Sequence, residues 1–148
     1  MKTYTPLLSE VLRKVHNAKT KNEKITILKE NDCEQLRMII KASFDPSIEW
    51  DIPVGKVPYR KNEAAEGTEH TVLRREARKL YHFIKGGNTR LAMFKKENMF
   101  IQMLEGLHYS EAELIISAKD KSLHKEFKGL SDNVVKEAFG WNDMYQKG

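Results

Sequence analysis

One hundred and forty-eight residues, 40% hydrophobic and 32% charged, describe one folded domain with a heavily charged surface and exclude a disordered tail. Lys and Arg outnumber Asp and Glu by 26 to 21, a net charge of +5 that permits a polyanionic partner without requiring one. One cysteine, Cys33, rules out an intramolecular disulfide and a thiolate zinc cluster; no apolar run suits a membrane span or signal peptide, so a cytoplasmic setting is expected.

Thr5 to Ala18 reads as an amphipathic helix, with Thr5 as cap, Pro6 in the first position, and Leu8, Val11, Leu12 and Val15 as its buried stripe. Thr20-Lys21-Asn22-Glu23 is a capping box that opens a short helix carrying Ile25, Ile27 and Leu28. Asp32-Cys33-Glu34-Gln35 repeats that logic ahead of Leu36, Ile39, Ile40 and Phe44. Periodicity then stops from Asp45 to Gly67, where Pro46, Pro53 and Pro58 suit no helix interior. Ile48, Trp50, Val57 and Tyr59 are too apolar for a free linker and are expected to tie this connection down.

Helix is expected again over Thr68 to Lys85, with Leu73, Ala77, Leu80, Tyr81 and Ile84 on one face and Gly86-Gly87 as the stop. Asn88 or Thr89 should cap a core helix whose stripe is Leu91, Phe94, Met99, Phe100, Met103, Leu104 and Leu107, with a kink or a break near Glu97-Asn98. Ser110-Glu111-Ala112-Glu113 is a third capping box, and a last helix starts at Ser131 with Val134, Val135, Ala138 and Phe139 inward. No strand and no repeat is legible. The expected fold is a single all-α domain, residues 1–148, of six to eight helices, with a C-terminal tail at 141–148.

Phosphate-loop, nucleophile-elbow and zinc-protease signatures are absent, and the five histidines match no common metal spacing. No cofactor and no metal are expected, and no feature argues for an enzyme. Cys33 is expected to be a small buried or capping-region residue. Charge concentrates in two places. Arg74, Arg75 and Arg78 sit on the polar side of a helix stripe, where a solvated face explains them better than a binding role does, which leaves them second-rank candidates. Lys119, Lys121, Lys125 and Lys128 lead into Gly129, Leu130 and Ser131, so cations precede a glycine and a capping serine at a helix start. That order suits a phosphate seat, with lysines neutralising charge and backbone N–H groups donating. Helices need caps anyway, so on the pattern alone the structural reading outweighs the functional one.

The whole chain resembles a family of small uncharacterised proteins of T-even-like tailed phages, notably those of cyanobacteria. Met1 to Leu12, Glu66 to Thr71, Met103 to His108 and Ser110 to Leu114 carry that likeness. Lys21 to Ile52 is in addition similar to the start of the DNA-binding domain of T-even-type phage ATP-dependent DNA ligases, through Ile27-Leu28-Lys29-Glu30-Asn31, Gln35-Leu36-Arg37, Trp50 and the following Pro53. Met99 to Leu107 and Gly129-Leu130-Ser131, with Val134, Val135 and Ala138, resemble its later part. This likeness implies an all-helical module that grips the DNA backbone with little sequence preference. The KxDG motif for lysine adenylation is missing, so ligase catalysis is not implied, and Lys56 to Arg90 matches poorly.

Two functions follow as expectations. The first is a stand-alone phage module binding duplex or nicked DNA in the host cytoplasm through the residues just named. The rival is a docking factor for a phage or host replication, repair or transcription protein. It would use the Asp45–Gly67 segment and the tail residues Trp141, Met144 and Tyr145 as anchors.

Overall fold

Apolar spacing and local capping produce the helices of this computed structural model, which describes residues 6–61 and 71–147. The order is α1 (Leu8–Asn17), α2 (Lys21–Glu30), α3 (Glu34–Phe44), α4 (Leu73–Glu76), a 3-10 helix (Ala77–Phe83), α5 (Met93–Gly106), α6 (Tyr109–Lys119), α7 (Leu123–Glu126) and α8 (Asp132–Phe139). Among the described residues the sheet content is two isolated bridges, Trp50 with Ile84 and Trp141 with Lys147. The all-α expectation holds.

Helix α2 packs between α1 and α8, while α3 lies against α6 and carries α4 and the 3-10 helix on its flank. Leu12, Leu28, Leu36, Ile40, Phe100 and Leu104 are fully enclosed between these layers. α3 and α6 run in the same direction. At their start, Arg74 reaches Cys33 and Glu111 holds the Leu73 N–H; past their end, the Leu123 N–H donates to Ser43 Oγ at 3.4 Å. The molecule therefore has two distinct ends, separated by an 11-residue helix of about 16 Å.

Several starts differ from expectation by one or two residues. Helix α1 begins at Leu8, outside Pro6, and the Leu7 N–H donates to Glu10 at 3.2 Å; Thr5 lies outside the described residues. Thr20 caps α2 as expected, accepting from Glu23 N–H at 3.1 Å, but Glu23 turns back to Lys19 N–H. Cys33 rather than Asp32 caps α3, its sulfur facing Leu36 N–H, while Asp32 pairs with Arg37 at 3.1 Å. His108 rather than Ser110 caps α6.

The helix expected from Thr68 to Lys85 is a larger correction, and its Thr68–His70 start lies outside the described residues. One α-turn runs into a 3-10 helix because the buried residues Ala77, Leu80 and Phe83 recur every three positions, the period of the tighter helix. Tyr81, expected inward, is 52% exposed, and Phe83 takes its place. Helix α5 is unbroken through Glu97-Asn98, starts without a side-chain cap, and leaves Phe94 74% exposed.

Candidate functional site

The groove end of the molecule begins with the irregular segment that follows α3. Trp50 anchors it, burying its ring and donating Nε1–H to the Ala42 carbonyl at 3.0 Å. Asp51 N–H reaches the Phe83 carbonyl at 2.6 Å, and Lys85 N–H reaches the Glu49 carbonyl at 2.8 Å. Three lysines complete the attachment. Lys96, buried in α5, pairs with Asp51. Lys119 donates to the carbonyls of Pro53 at 2.6 Å and Gly55 at 3.2 Å and to Asp120, which itself accepts from Gly55 N–H. Lys121 donates to the Asp45 carbonyl at 2.6 Å. The apolar anchoring expected of Trp50 is present, and the ammonium groups of the buried Lys119 and the half-buried Lys121 satisfy carbonyls that no helix or sheet would otherwise pair.

Between this segment and the chain that follows α6 lies an open groove of about 940 Å³. Phe44, Ile48, Trp50, Ile52 and Val54 form one wall; Lys121, His124, Lys128, Leu130 and Ser131 form the other, with Lys85 at the lip. Phe44 and His124 face each other across it, ring centres 6.1 Å apart and tilted. Glu49 and Asp132 also border the groove. Glu49 lies 3.8 Å from Lys85, whereas Asp132 is occupied by Tyr145 and by Lys136 at 2.8 Å. Burial tends to raise the Asp132 carboxyl, but the hydrogen bonds from Lys136 and Tyr145 outweigh it and hold it below the ordinary value.

The seven residues expected to form the phosphate seat separate into inward and outward sets. Lys119 is a structural clamp with its side chain fully enclosed, so its expected phosphate contact is corrected. Leu130 is fully buried core. Gly129 needs its missing side chain for packing: a Cβ there would lie 2.6 Å from the Val15 carbonyl, against the end of α1 rather than open to a ligand. Lys121 is intermediate. It occupies the left-handed region at φ 58°, closing α6 where glycine is usual, and its Nζ bond to Asp45 helps hold it there. Burial pushes its amine below the usual lysine value, against the raising effect of Asp45 and Glu49. Lys125, Lys128 and Ser131 stay exposed, Ser131 capping α8 by accepting from Val134 N–H at 3.3 Å.

The arginines mark the other end. Arg74 is half-buried, donating to the Pro6 carbonyl at 3.1 Å and facing Cys33 Sγ, and so ties two helix starts together. Arg75 and Arg78 are exposed. Beneath them Glu111, fully buried, accepts from Leu8 N–H at 3.1 Å and Leu73 N–H at 3.0 Å, capping two helices with one carboxylate. Spacing within the sequence singled out Glu111 only as part of a local box.

Ser110 Oγ lies 2.7 Å from His108 Nδ1, a separation that a nucleophile and its base would need. The same Nδ1 accepts Ser110 N–H at 3.2 Å, and Ser110 Oγ also meets Ser9 Oγ at 2.8 Å, so the cluster is a helix cap tied to α1. Among the described residues no group of His, Cys, Asp or Glu is arranged to hold a metal, and no helix is long and apolar enough to cross a membrane. In the tail, Tyr145 is buried, Trp141 is half-buried against Phe139, and Met144 alone of the three expected anchors is fully outward at 68% exposure.

No curated protein and no solved structure matches the chain. A family of unknown function, DUF6433, has a sequence model that matches residues 11–125, well over half the length, and the chain belongs to that family.

Proposed function

We propose that the protein is a non-catalytic DNA-binding module that holds the sugar–phosphate backbone at its groove end without sequence preference. The observation that carries this reading is convergence: Lys85 and Lys128 come from separate parts of the chain to one open groove, with Lys125 exposed on the short helix that precedes Lys128. Cations on a surface with few groups suited to base edges favour phosphate over sequence. The likeness of Lys21 to Ile52 and of Gly129 to Ala138 to phage ligase DNA-binding domains supports the same choice, and extends the proposal to a phage protein acting on duplex or nicked DNA in the host cytoplasm. The docking alternative has less support, because Tyr145 and Trp141 are engaged within the fold.

Three cations, Lys85, Lys125 and Lys128, define the footprint. Three phosphate contacts give a log–log salt slope of about −2.7 for B-DNA, at about −0.9 each. Fluorescence anisotropy of labelled duplex and nicked duplex, titrated with salt, tests the reading. Affinity that falls with salt at about that slope, alike for unrelated sequences, supports it. Failure of either DNA to bind at low ionic strength refutes it.

A further inference from the structure

A duplex presents its phosphates on a convex outer surface, so it would meet the lysines at the lip and leave the interior of the groove empty. That interior is apolar and aromatic along one wall, with Phe44, Ile48 and Trp50, and Val54 stands 81% exposed at its edge. The opposite wall carries the exposed Lys128 ammonium beside His124, with Lys121 turned to the Asp45 carbonyl. Its volume, about 940 Å³, lies within the range of cavities that enclose a small organic ligand. An unpaired nucleotide has the two properties this arrangement matches, a flat base with apolar faces and a phosphate on one side. Base stacking on aromatic side chains beside a basic track is how sequence-tolerant single-strand binders work.

We propose that the groove takes unpaired DNA, the base lying against the Phe44–Ile48 wall and its phosphate meeting Lys128. The inference rests on the DNA-backbone reading above and adds to it the form of DNA selected: a gap, a flap or a free strand in preference to a continuous duplex. Peptide ligands with apolar anchors would also use the wall, but the cationic side complements a phosphate at every nucleotide.

Anisotropy with three labelled probes tests this: short oligothymidylate, a blunt duplex with the same number of phosphates, and that duplex with a short gap. Oligothymidylate and the gapped duplex should bind tighter than the blunt duplex by on the order of tenfold, the size of one base-stacking contact. Val54→Glu places a carboxylate at the groove edge on a side chain too exposed to matter for folding. It should erase most of that preference while changing blunt-duplex affinity less than about twofold. Phe44→Leu keeps apolar bulk but removes the ring face, and should reduce the preference in the same direction. Equal binding of all three probes, or a preference that survives Val54→Glu, overturns the inference and leaves the backbone-binding reading in place. Binding of none of them overturns both and turns the groove over to a protein ligand.

Discussion

The two ends of the α3–α6 pair solve the same physical problem with opposite charges. At the start, backbone N–H groups of α1 and α4 point inward, and the carboxylate of Glu111 satisfies one from each. At the finish, carbonyls of an irregular segment point inward, and the ammonium groups of Lys119 and Lys121 satisfy those. Donors are met by an anion and acceptors by cations. A cluster of lysines in the sequence is thus divided between internal clamps and exposed charge, and only the exposed part can meet a partner.

Removing a clamp should cost most. Lys119→Met leaves the carbonyls of Pro53 and Gly55 and the Asp120 carboxylate without their partner. It should lower stability by about 3–5 kcal/mol, as breaking a buried ion pair does, read by urea denaturation. Loss below about 1 kcal/mol would show that the clamp is dispensable and that the two ends are not held alike. Glu111→Gln retains one acceptor oxygen and should cost about 1–3 kcal/mol, for one buried donor left unpaired.

Acid should act on a third attachment, where Tyr145 and Lys136 hold Asp132. Because the folded carboxyl titrates below its ordinary 3.8, its stabilising contribution is complete above that pH and fades as pH falls further. Tyr145, pushed up to about 12 by burial and by Asp132, stays protonated across this window and keeps its donor. The tail should therefore loosen below about pH 3.8, and Asp132→Asn should remove that acid step; an unchanged step would assign it to other carboxylates. The smallest effect on stability should come from Lys125→Ala with Lys128→Ala, within about 0.5 kcal/mol for exposed side chains.

Helix content, the stripes of α1, α3 and α8, the caps at Thr20 and Ser131 and the anchoring of Trp50 were legible because each depends on residues a few positions apart. The lysine roles were not. Lys119 meets Pro53 across 66 residues and Lys121 meets Asp45 across 76, so spacing within the segment carries no sign of either contact. Gly129 reads as a turn glycine ahead of a helix, yet what fixes it is Val15, on the other side of the chain. The 3-10 stretch escaped for a different reason. Leu73, Ala77, Leu80 and Ile84 fit an α-helical stripe on paper, and only the burial of Phe83 in place of Tyr81 selects the tighter turn.

The central claim is that DNA binds through the exposed lysines of the groove end and not through the arginines of the other. Salt-titrated anisotropy on blunt duplex, comparing wild type with Lys125→Ala/Lys128→Ala and with Arg75→Ala/Arg78→Ala, measures this directly. The lysine pair should reduce the magnitude of the log–log slope by about 2 and weaken binding to all sequences alike, while the arginine pair leaves the slope unchanged. A slope that falls with the arginines and survives loss of the lysines would contradict the account.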